Sequence, residues 1–412
     1  MATYYVDAVV GSDAASVSGA SDAPFRTPNR AHSVTQPGDT VRLRGDINAP
    51  ASWFTAPFKI TRPGTTWEAD TGHTPTFHGG YTPTPGNPKS YKMHGRPGNY
   101  VKEMLAISAP DITLSGVRVQ HVGGEGIAIN QGAHNARVLG CSVCMTFGNG
   151  IFVGGAARGE RVRNVEIADC EISYTSQGWF AVGNKESGCG MMLRDCEDVR
   201  VHHCTLHHVC KEGINIDRSG LGTIVEHCTL HTINHVALYI NRTQDCHVRY
   251  NVVYHTKERD YLGESYKKRS APVAIRIGDE SNRNDAGNSM TGHWNSKQQR
   301  VYGNVVIGGG TCLHVANNSV QYETQLNGAY IGFNTFVGQS WTDPDGTSRT
   351  TKVIEIGENV LGPGPHVDSL IENNLFYAPA GVALGSVAGV AGVTFRNNGW
   401  YSEGGGSARP PG

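Results

Sequence analysis

Histidine and cysteine crowd one short segment of this chain. Residues 201–210, VHHCTLHHVC, hold four histidines and two cysteines. These are the usual protein ligands of zinc, and structural zinc sites show such close ligand spacing. The segment VEHCTLHTINH, which begins at Val225, repeats part of the pattern. The residues could therefore form one metal site, or they could occupy equivalent positions in a structural repeat.

The spacing along the chain favours a repeat. An aliphatic residue, two variable residues and then Cys or Asn recur many times. This marker residue is Cys141, Cys170, Cys204, Cys228, Asn251, Asn304, Asn334, Asn374 and Asn398, with Val117 in a degenerate first copy. The shortest steps between markers are 23 or 24 residues, and the longer steps hold insertions. A fixed period with inserted loops is typical of a solenoid.

In this register the histidines fall into two columns. His203 aligns with His227, and His207 aligns with His231. Tyrosine and threonine interrupt the columns, which makes a continuous set of metal ligands unfavourable. We therefore expect rings stacked along one face, and no metal site.

The elements that would position these residues are short strands. Each repeat carries a second apolar run, usually opened by glycine, as in GIAI at 126, GIFV at 150 and GINI at 213. Runs rich in β-branched residues and separated by Gly, Asn and Asp are typical of strands and turns. About three such strands per repeat predict one coil of a parallel β-helix, with equivalent residues ~4.8 Å apart.

The first residues of the chain support this fold independently. Tyr4 to Asp7, Gly11 to Asp13, Pro24 to Thr27 and Pro37 to Val41 resemble the opening segment of the pectate-lyase-like superfamily. The resemblance covers most of the chain and implies an all-β, right-handed single-stranded parallel β-helix of about ten coils with inserted loops. Residues 1–110 would then be a capping segment with a loop insertion, 111–401 the coils and 402–412 a tail. That superfamily includes lyases, hydrolases, epimerases, adhesins and viral spikes, so the resemblance specifies the fold and leaves the activity open.

Composition restricts the partners. The net charge of −1 gives no basic surface for nucleic acid, and no apolar run approaches the ~18 residues of a membrane span. The opening motif at Tyr4 leaves no room for a signal peptide, and stacked thiols favour folding in a reducing cytoplasm. The protein would then act on a virion or outside the cell. A secreted enzyme that has lost its signal peptide is the alternative.

Three insertions, at 175–187, 255–272 and 338–350, interrupt the coil at the same point. They should form a wall on one edge of the solenoid. The predicted glycan-binding residues on this wall are Trp179, Tyr261, Tyr266, Lys267, Arg269 and Trp341. Aromatic faces stack on sugar rings, and cations pair with uronates. The alternative is that these loops are ordinary surface or subunit contacts.

The coils offer a second candidate site. Seven residues after the marker lie Lys211 and His235, and fourteen residues after it lie Arg218 and Arg242. A base beside arginines that neutralise a uronate suits β-elimination from an acidic polysaccharide. The alternative is an Asn turn ladder at the preceding position, with the arginines as its neighbours.

The motifs of known enzymes in the superfamily are missing here. There is no run of paired aspartates on successive coils, such as the calcium cluster of the lyases. We expect no cofactor, and a structural or substrate-bridging calcium ion stays open. Three functions also stay open. They are a viral tail or spike protein that engages a host glycan, with or without depolymerase activity; a secreted lyase or hydrolase of an acidic glycan; and a structural or adhesive solenoid. The partners would be a polysaccharide and, for a spike, a homotrimer or other virion proteins.

Overall fold

The fold is an all-β solenoid, as the sequence predicts. The computed structural model describes residues 1–48, 57–80, 103–154, 161–177, 188–219, 221–256, 258, 271–278, 297–315, 326–342, 346–356, 366–387 and 390–404. Their strands form three parallel sheets of 13, 11 and 12 strands and one two-stranded antiparallel sheet. Among these residues there is one α-helix, α1 (Pro28–Val34), and no helix is long and apolar enough to cross a membrane. The chain divides into two compact units.

The first unit comprises Met1–Met191 and Val199–Thr205. Its strands are β1 (Thr3–Asp7), β2 (Thr40–Arg44), β3 (Asp46–Asn48), β4 (Phe58–Ile60), β5 (Thr66–Ala69), β6 (Thr76–His78), β7 (Glu103–Ile107), β8 (Thr113–Ser115), β9 (Arg118–Val122), β10 (Glu125–Ile129), β11 (Arg137–Leu139), β12 (Ser142–Thr146), β13 (Ile151–Val153), β14 (Val162–Ala168) and β15 (Glu171–Ser173). Within it the 13-stranded sheet runs β1-β2-β5-β8-β11-β14, and β2 pairs in parallel with both β1 and β5. Coil strands are therefore already present within 1–110, the segment that the marker pattern assigns to the cap.

The second unit comprises Met192–Asp198 and Leu206–Gly412. The division of the chain passes through β16 (Cys189–Arg194), β17 (Cys196–His202) and β18 (Thr205–Val209). The remaining strands are β19 (Glu212–Asp217), β20 (Ile224–Glu226), β21 (Thr229–Ile233), β22 (Val236–Asn241), β23 (His247–Arg249), β24 (Val252–Tyr254), β25 (Val273–Gly278), β26 (Arg300–Tyr302), β27 (Val305–Ile307), β28 (Thr311–Val315), β29 (Tyr330–Gly332), β30 (Thr335–Val337), β31 (Trp341–Thr342), β32 (Ser348–Arg349), β33 (Lys352–Ile356), β34 (Ser369–Glu372), β35 (Leu375–Ala378), β36 (Ala383–Val387), β37 (Val393–Arg396) and β38 (Gly399–Ser402).

The core lies inside the coils and is built in register. In the 13-stranded sheet of the second unit, one apolar side chain per strand occupies the same position. These are Val225, Val248, Val301, Ile331 and Ile371, all fully buried. Each strand is too short to bury its apolar face alone, so stacking of successive coils is what creates the core.

The marker residues line a buried bend of the coil. Cys141, Cys170, Cys204 and Cys228 are buried and are free thiols in the structure. The Cys170 thiol donates to the carbonyl oxygens of Ala168 at 3.2 Å and Val138 at 3.6 Å. The cysteines thus place a small side chain with a weak donor next to carbonyl groups of the bend.

In the second unit asparagine occupies the marker position, and its side chain makes more hydrogen bonds than the cysteine thiol does. The Asn304 side-chain amide donates to Asn334 Oδ1 at 2.9 Å and to the Val248 carbonyl at 2.9 Å. The Asn304 backbone N–H also donates to Asn334 Oδ1, at 3.0 Å. The same arrangement links Asn251 to Asn304, Asn334 to Asn374 and Asn374 to Asn398. The predicted ladder of small side chains at a bend is therefore confirmed.

The predicted ring columns are also present in the second unit. His207 stacks on His231 with ring centroids 5.1 Å apart, and His231 stacks on Tyr254 at 4.8 Å. His227 stacks on Tyr250 at 5.4 Å. Within the described part of the chain, no three His, Cys, Asp or Glu side chains are grouped so that they could hold a metal ion.

Candidate functional site

One column of polar side chains runs along the outward face of the 11-stranded sheet in the second unit. Strand pairing places Asn215 beside Tyr239, Tyr239 beside Arg276, Arg276 beside His314 and His314 beside Glu355. The residues on either side of each, such as Ile214 and Ile216, are buried in the core. Because side chains alternate between the faces of a strand, the five polar residues point away from the core. We call Asn215, Tyr239, Arg276, His314 and Glu355 the polar column.

Three residues of the polar column are shielded from solvent. Asn215 is 6% exposed, Tyr239 3% and Arg276 4%. The Arg276 guanidinium lies 5.1 Å from the centroid of the Tyr239 ring, a cation–π contact. Shielding of this kind strengthens every electrostatic interaction that the column makes, because little water competes.

Two atoms of the column have unmet hydrogen-bonding capacity. Asn215 Oδ1 and His314 Nδ1 are buried, and neither has a hydrogen-bond partner among the described residues. Leaving a buried polar atom unpaired costs about 1–3 kcal/mol. Such atoms are uncommon in native proteins, where a bound ligand or an ordered water often satisfies them.

The charge of the column is set by its environment. Burial, followed by the positive charge of Arg276, lowers the pKa of His314 to about 4. His314 is therefore neutral near pH 7, although the Glu355 carboxylate lies 3.8 Å from its Nε2 atom. Glu355 itself is paired with Lys352 at 2.6 Å. Arg276 is thus the fixed positive charge in the middle of the column.

A buried carboxylate lies where the same face begins. Glu212, at the start of β19, is 4% exposed. Its Oε1 atom is 3.6 Å from Lys211 Nζ and 3.6 Å from His235 Nδ1, and its Oε2 atom accepts from the Asn215 amide at 2.6 Å. Burial alone would raise the pKa of Glu212, but Lys211, His235 and Asn215 outweigh it and lower the pKa to about 2.

A second buried carboxylate, Asp217, lies where β19 ends. Its oxygens accept from Arg194 Nε at 3.0 Å and from Arg242 NH2 at 2.5 Å. Arg218 lies 3.8 Å from Asp217 and 3.2 Å from Asp195. Arg218 and Arg242 have left-handed backbone conformations, with φ of 52° and 53°. The two arginines therefore occupy the left-handed turn position that the sequence assigned to Asp217 and Asn241. Asp217 and Asn241 instead pair with each other as the last residues of β19 and β22.

The predicted catalytic residues lie at the two ends of β19 and β22, and their catalytic role stays a prediction. Lys211 precedes β19 and Arg218 follows it, while His235 and Arg242 flank β22 in the same way. A six-residue strand rises ~3.3 Å per residue, so roughly 20 Å separates the bases from the arginines. The residue count from the marker correctly aligns Lys211 with His235 and Arg218 with Arg242 on neighbouring strands. It does not reveal that the residues between Lys211 and Arg218 form an extended strand.

The predicted binding wall is largely outside the described residues. Trp179, Tyr261, Tyr266, Lys267 and Arg269 all fall there. Trp341 is described, and it corrects the expectation of an exposed aromatic. It lies in β31, which pairs with β32, and it is only 3% exposed. Its ring therefore packs against the protein and offers no open face to a sugar.

Sequence reasoning missed Glu212 and the whole polar column. A signal was present in the strands themselves. GINI, ALYI, AIRI, CLHV and VIEI each place one polar residue between two apolar ones at the same position. Such alternation in consecutive coils marks a face that points away from the core.

Comparisons with known proteins agree with this architecture. Residues 103–336, more than half of the chain, match the family model described as right handed beta helix region. The chain therefore belongs to this family, and its fold is the right-handed parallel β-helix. No curated protein matches the sequence.

Several solved structures share the fold at low sequence identity. The GH136 lacto-N-biosidase of Eubacterium ramulus has a TM-score of 0.57 at 13% identity, over 97% of this chain and 67% of that one. The Dettilon tailspike protein has a TM-score of 0.54 at 11% identity, over 89% and 63%. The pectate lyase Pel9A has a TM-score of 0.53 at 10% identity, over 99% and 82%.

Proposed function

We propose that this protein recognises an extracellular or cell-surface polysaccharide, in the manner of a viral tail or spike protein. The observation that carries the proposal is the polar column on the outward face of the 11-stranded sheet. Support also comes from the names of structures with the same fold, which include a tailspike protein, a lacto-N-biosidase and a pectate lyase.

The polar column has the chemistry that a sugar chain requires. Asn215 and His314 supply hydrogen-bonding groups, and the Tyr239 ring packs against the Arg276 guanidinium. Arg276 supplies a positive charge that pairs with a carboxylate or sulfate. Equivalent residues of successive strands lie ~4.8 Å apart, so the side chains form a regular ladder, which suits a polymer with a regular repeat. The ligand that fits best is an acidic polysaccharide.

A second candidate function is cleavage of the same class of glycan. The observation that favours it is the buried Glu212 carboxylate beside Lys211 and His235 at the edge of the face. Two groups that exchange protons near an ionised carboxylate are typical of acid–base catalysis. A secreted lyase or hydrolase would also bind its glycan on the outward face of the 11-stranded sheet. A purely structural solenoid would bind no glycan there.

Binding to a panel of neutral and acidic polysaccharides tests the proposal. We expect the protein to bind at least one acidic glycan, and the Arg276→Gln variant to bind it roughly tenfold more weakly or worse, because a charge-assisted hydrogen bond contributes about 1.5–3 kcal/mol. Asn215→Ser is a milder second variant, in case Arg276→Gln does not fold. Arg300→Gln is the matched control, since Arg300 is an exposed arginine on the 13-stranded sheet. Equal binding by Arg276→Gln, Asn215→Ser and Arg300→Gln would refute the proposed surface.

A further inference from the structure

The outward face of the 12-stranded sheet changes from polar to apolar along the second unit. On β21 the outward residues are Thr229 and His231. Strand pairing continues the same two positions through β24, β27, β30, β35 and β38. On these five strands they hold Val252, Tyr254, Val305, Ile307, Thr335, Val337, Leu375, Tyr377, Gly399 and Tyr401. We call these ten residues the apolar face.

The apolar face is open to solvent. Val252, Val305, Ile307, Leu375 and Tyr401 are between 38% and 55% exposed. On β24, β27, β30 and β35 the residue between the two outward ones is fully buried, so the core of the solenoid is filled without the apolar face. Single exposed apolar residues are common on protein surfaces, but a contiguous group of them marks an interaction site.

The chemistry of the face restricts what can cover it. All ten positions lie in the described part of the chain, and none of them holds a charged side chain. At the rim, Glu403 accepts a hydrogen bond from the Tyr377 hydroxyl. An uncharged centre with a polar rim is typical of a protein–protein interface. A second copy of the chain fits such a face, because two uncharged surfaces meet without like-charge repulsion and the net charge of the chain is only −1.

The area is sufficient for a pair of copies. Tyr250, which is 48% exposed, lies at the bend before β24 and extends the face. With it, the exposed side chains present on the order of 700 Å², close to the ~800 Å² per partner that a standard interface buries.

Symmetry then decides the kind of assembly. One face that serves both partners closes only around a twofold axis, whereas a ring of three copies needs two different complementary surfaces. We propose that the protein forms a twofold dimer in which the apolar faces of two copies pack against each other.

The dimer leaves the glycan-binding surface free. The polar column belongs to the 11-stranded sheet, whereas the apolar face belongs to the 12-stranded sheet. Each dimer would carry two polar columns, and two linked sites bind a repeating polymer with higher avidity than one. This gain in avidity rests on the proposed glycan recognition, whereas the dimer itself does not.

The mass of the full chain in solution tests the dimer. Sedimentation and light scattering should give twice the 44.2 kDa of one chain. Ile307→Lys should raise the dimer Kd by roughly a hundredfold or more, because an unpaired ammonium group would be buried between the faces. Val305→Thr is a milder second variant, in case Ile307→Lys does not fold. Leu221→Lys is the matched control, since Leu221 is 56% exposed and lies outside the apolar face.

The contact itself is tested by cross-linking. β30 is the middle strand of the face, so Thr335 lies near the proposed axis and close to its own copy. Thr335→Cys should therefore link to itself through a short bismaleimide, whereas wild type and Leu221→Cys should not. A mass of one or of three chains, or a dimer that survives Ile307→Lys and Val305→Thr, would overturn the inference. A dimer without the Thr335→Cys cross-link would also overturn it. None of these results depends on glycan binding, so failure of the dimer leaves the proposed function standing.

Discussion

Asparagine at the marker position satisfies several buried groups with one side chain. Asn334 Oδ1 accepts from the backbone N–H and from the amide of Asn304, at 3.0 and 2.9 Å. Its own amide donates to the Val301 carbonyl at 2.9 Å and to Asn374 Oδ1 at 2.9 Å. Removal of the side chain would leave buried donors and acceptors unpaired, which is more costly than the loss of the bonds themselves.

We therefore expect Asn334→Ala to lower the free energy of unfolding by about 2–5 kcal/mol, from two or more unpaired groups at about 1–3 kcal/mol each. Asn334→Cys should cost less, because cysteine occupies the same position at Cys228 and reaches a carbonyl there at 3.3 Å. Asn398→Ala is the matched control, since Asn398 ends the ladder and is less buried. Urea unfolding measures all three. Equal losses at Asn334 and Asn398 would contradict a cooperative ladder.

His314 predicts a pH dependence of stability. Its folded pKa of about 4 lies below the ordinary value of 6.5 because of burial and then Arg276. As pH falls below 6.5, the unfolded chain takes up the proton first, so the free energy of unfolding decreases down to about pH 4. The full stabilisation is present above pH 6.5 and amounts to at most about 3.5 kcal/mol, at about 1.4 kcal/mol per pKa unit.

The measurement compares the unfolding free energy of the wild type and of His314→Gln between pH 4 and pH 7.5. The variant cannot take up this proton, so its stability should fall less steeply across the window. His73→Gln is the control, because His73 is an exposed turn residue. Parallel pH curves for the wild type and His314→Gln would contradict the assignment.

At the scale of elements, glycine at the start of a strand allows two coils to approach closely. A Cβ atom on Gly213 would lie 2.5 Å from the Ala237 carbonyl oxygen and 3.0 Å from Leu230 Cδ2. Gly126 and Gly150 are equally crowded, with their nearest atoms at 2.4 and 2.6 Å. The glycines that open the runs GIAI, GIFV and GINI are therefore required by packing.

Gly213→Ala should lower the free energy of unfolding by about 1–3 kcal/mol, the usual cost of overpacking a core. The backbone would also have to shift next to Glu212, so the variant should bind or cleave the glycan less well. Gly404→Ala is the control, because a Cβ there meets nothing within 4 Å. A Gly213→Ala protein as stable as Gly404→Ala would contradict the close approach.

The sequence predicted the strands well because their periodicity is a direct consequence of the coil. Marker residues such as Cys204 and Asn304 recur wherever a bend must be buried, so their spacing reveals the repeat. The site was harder to predict. Lys211 and Arg218 are near neighbours in sequence but lie at opposite ends of an extended strand. The burial of Trp341 depends on the local pairing of β31 with β32. This pairing is not part of the repeat, so the repeat pattern in the sequence does not predict it.

For the molecule as a whole, two surfaces are candidates for binding the proposed glycan. One is the polar column on the coils, and the other is the predicted loop wall, most of which lies outside the described residues. In a solenoid the coils repeat a fixed geometry, while insertions vary, so function is often carried by the loops. The two surfaces make different predictions for aromatic substitutions.

If the loop wall binds the glycan, Trp179→Ala and Tyr266→Ala should each weaken binding by on the order of 1 kcal/mol, the energy of an aromatic contact. Trp341→Ala should instead lower the free energy of unfolding, by about 3–5 kcal/mol, because a buried tryptophan is lost. Phe333→Ala is the control, since Phe333 is an aromatic residue that is 60% exposed on another part of the surface. Glycan affinity and urea unfolding are measured on the same preparations. Unchanged affinity in Trp179→Ala and Tyr266→Ala, with a loss in Arg276→Gln, would rule out the wall and assign recognition to the coils. The reverse pattern would assign it to the loops and refute the polar column as the binding surface.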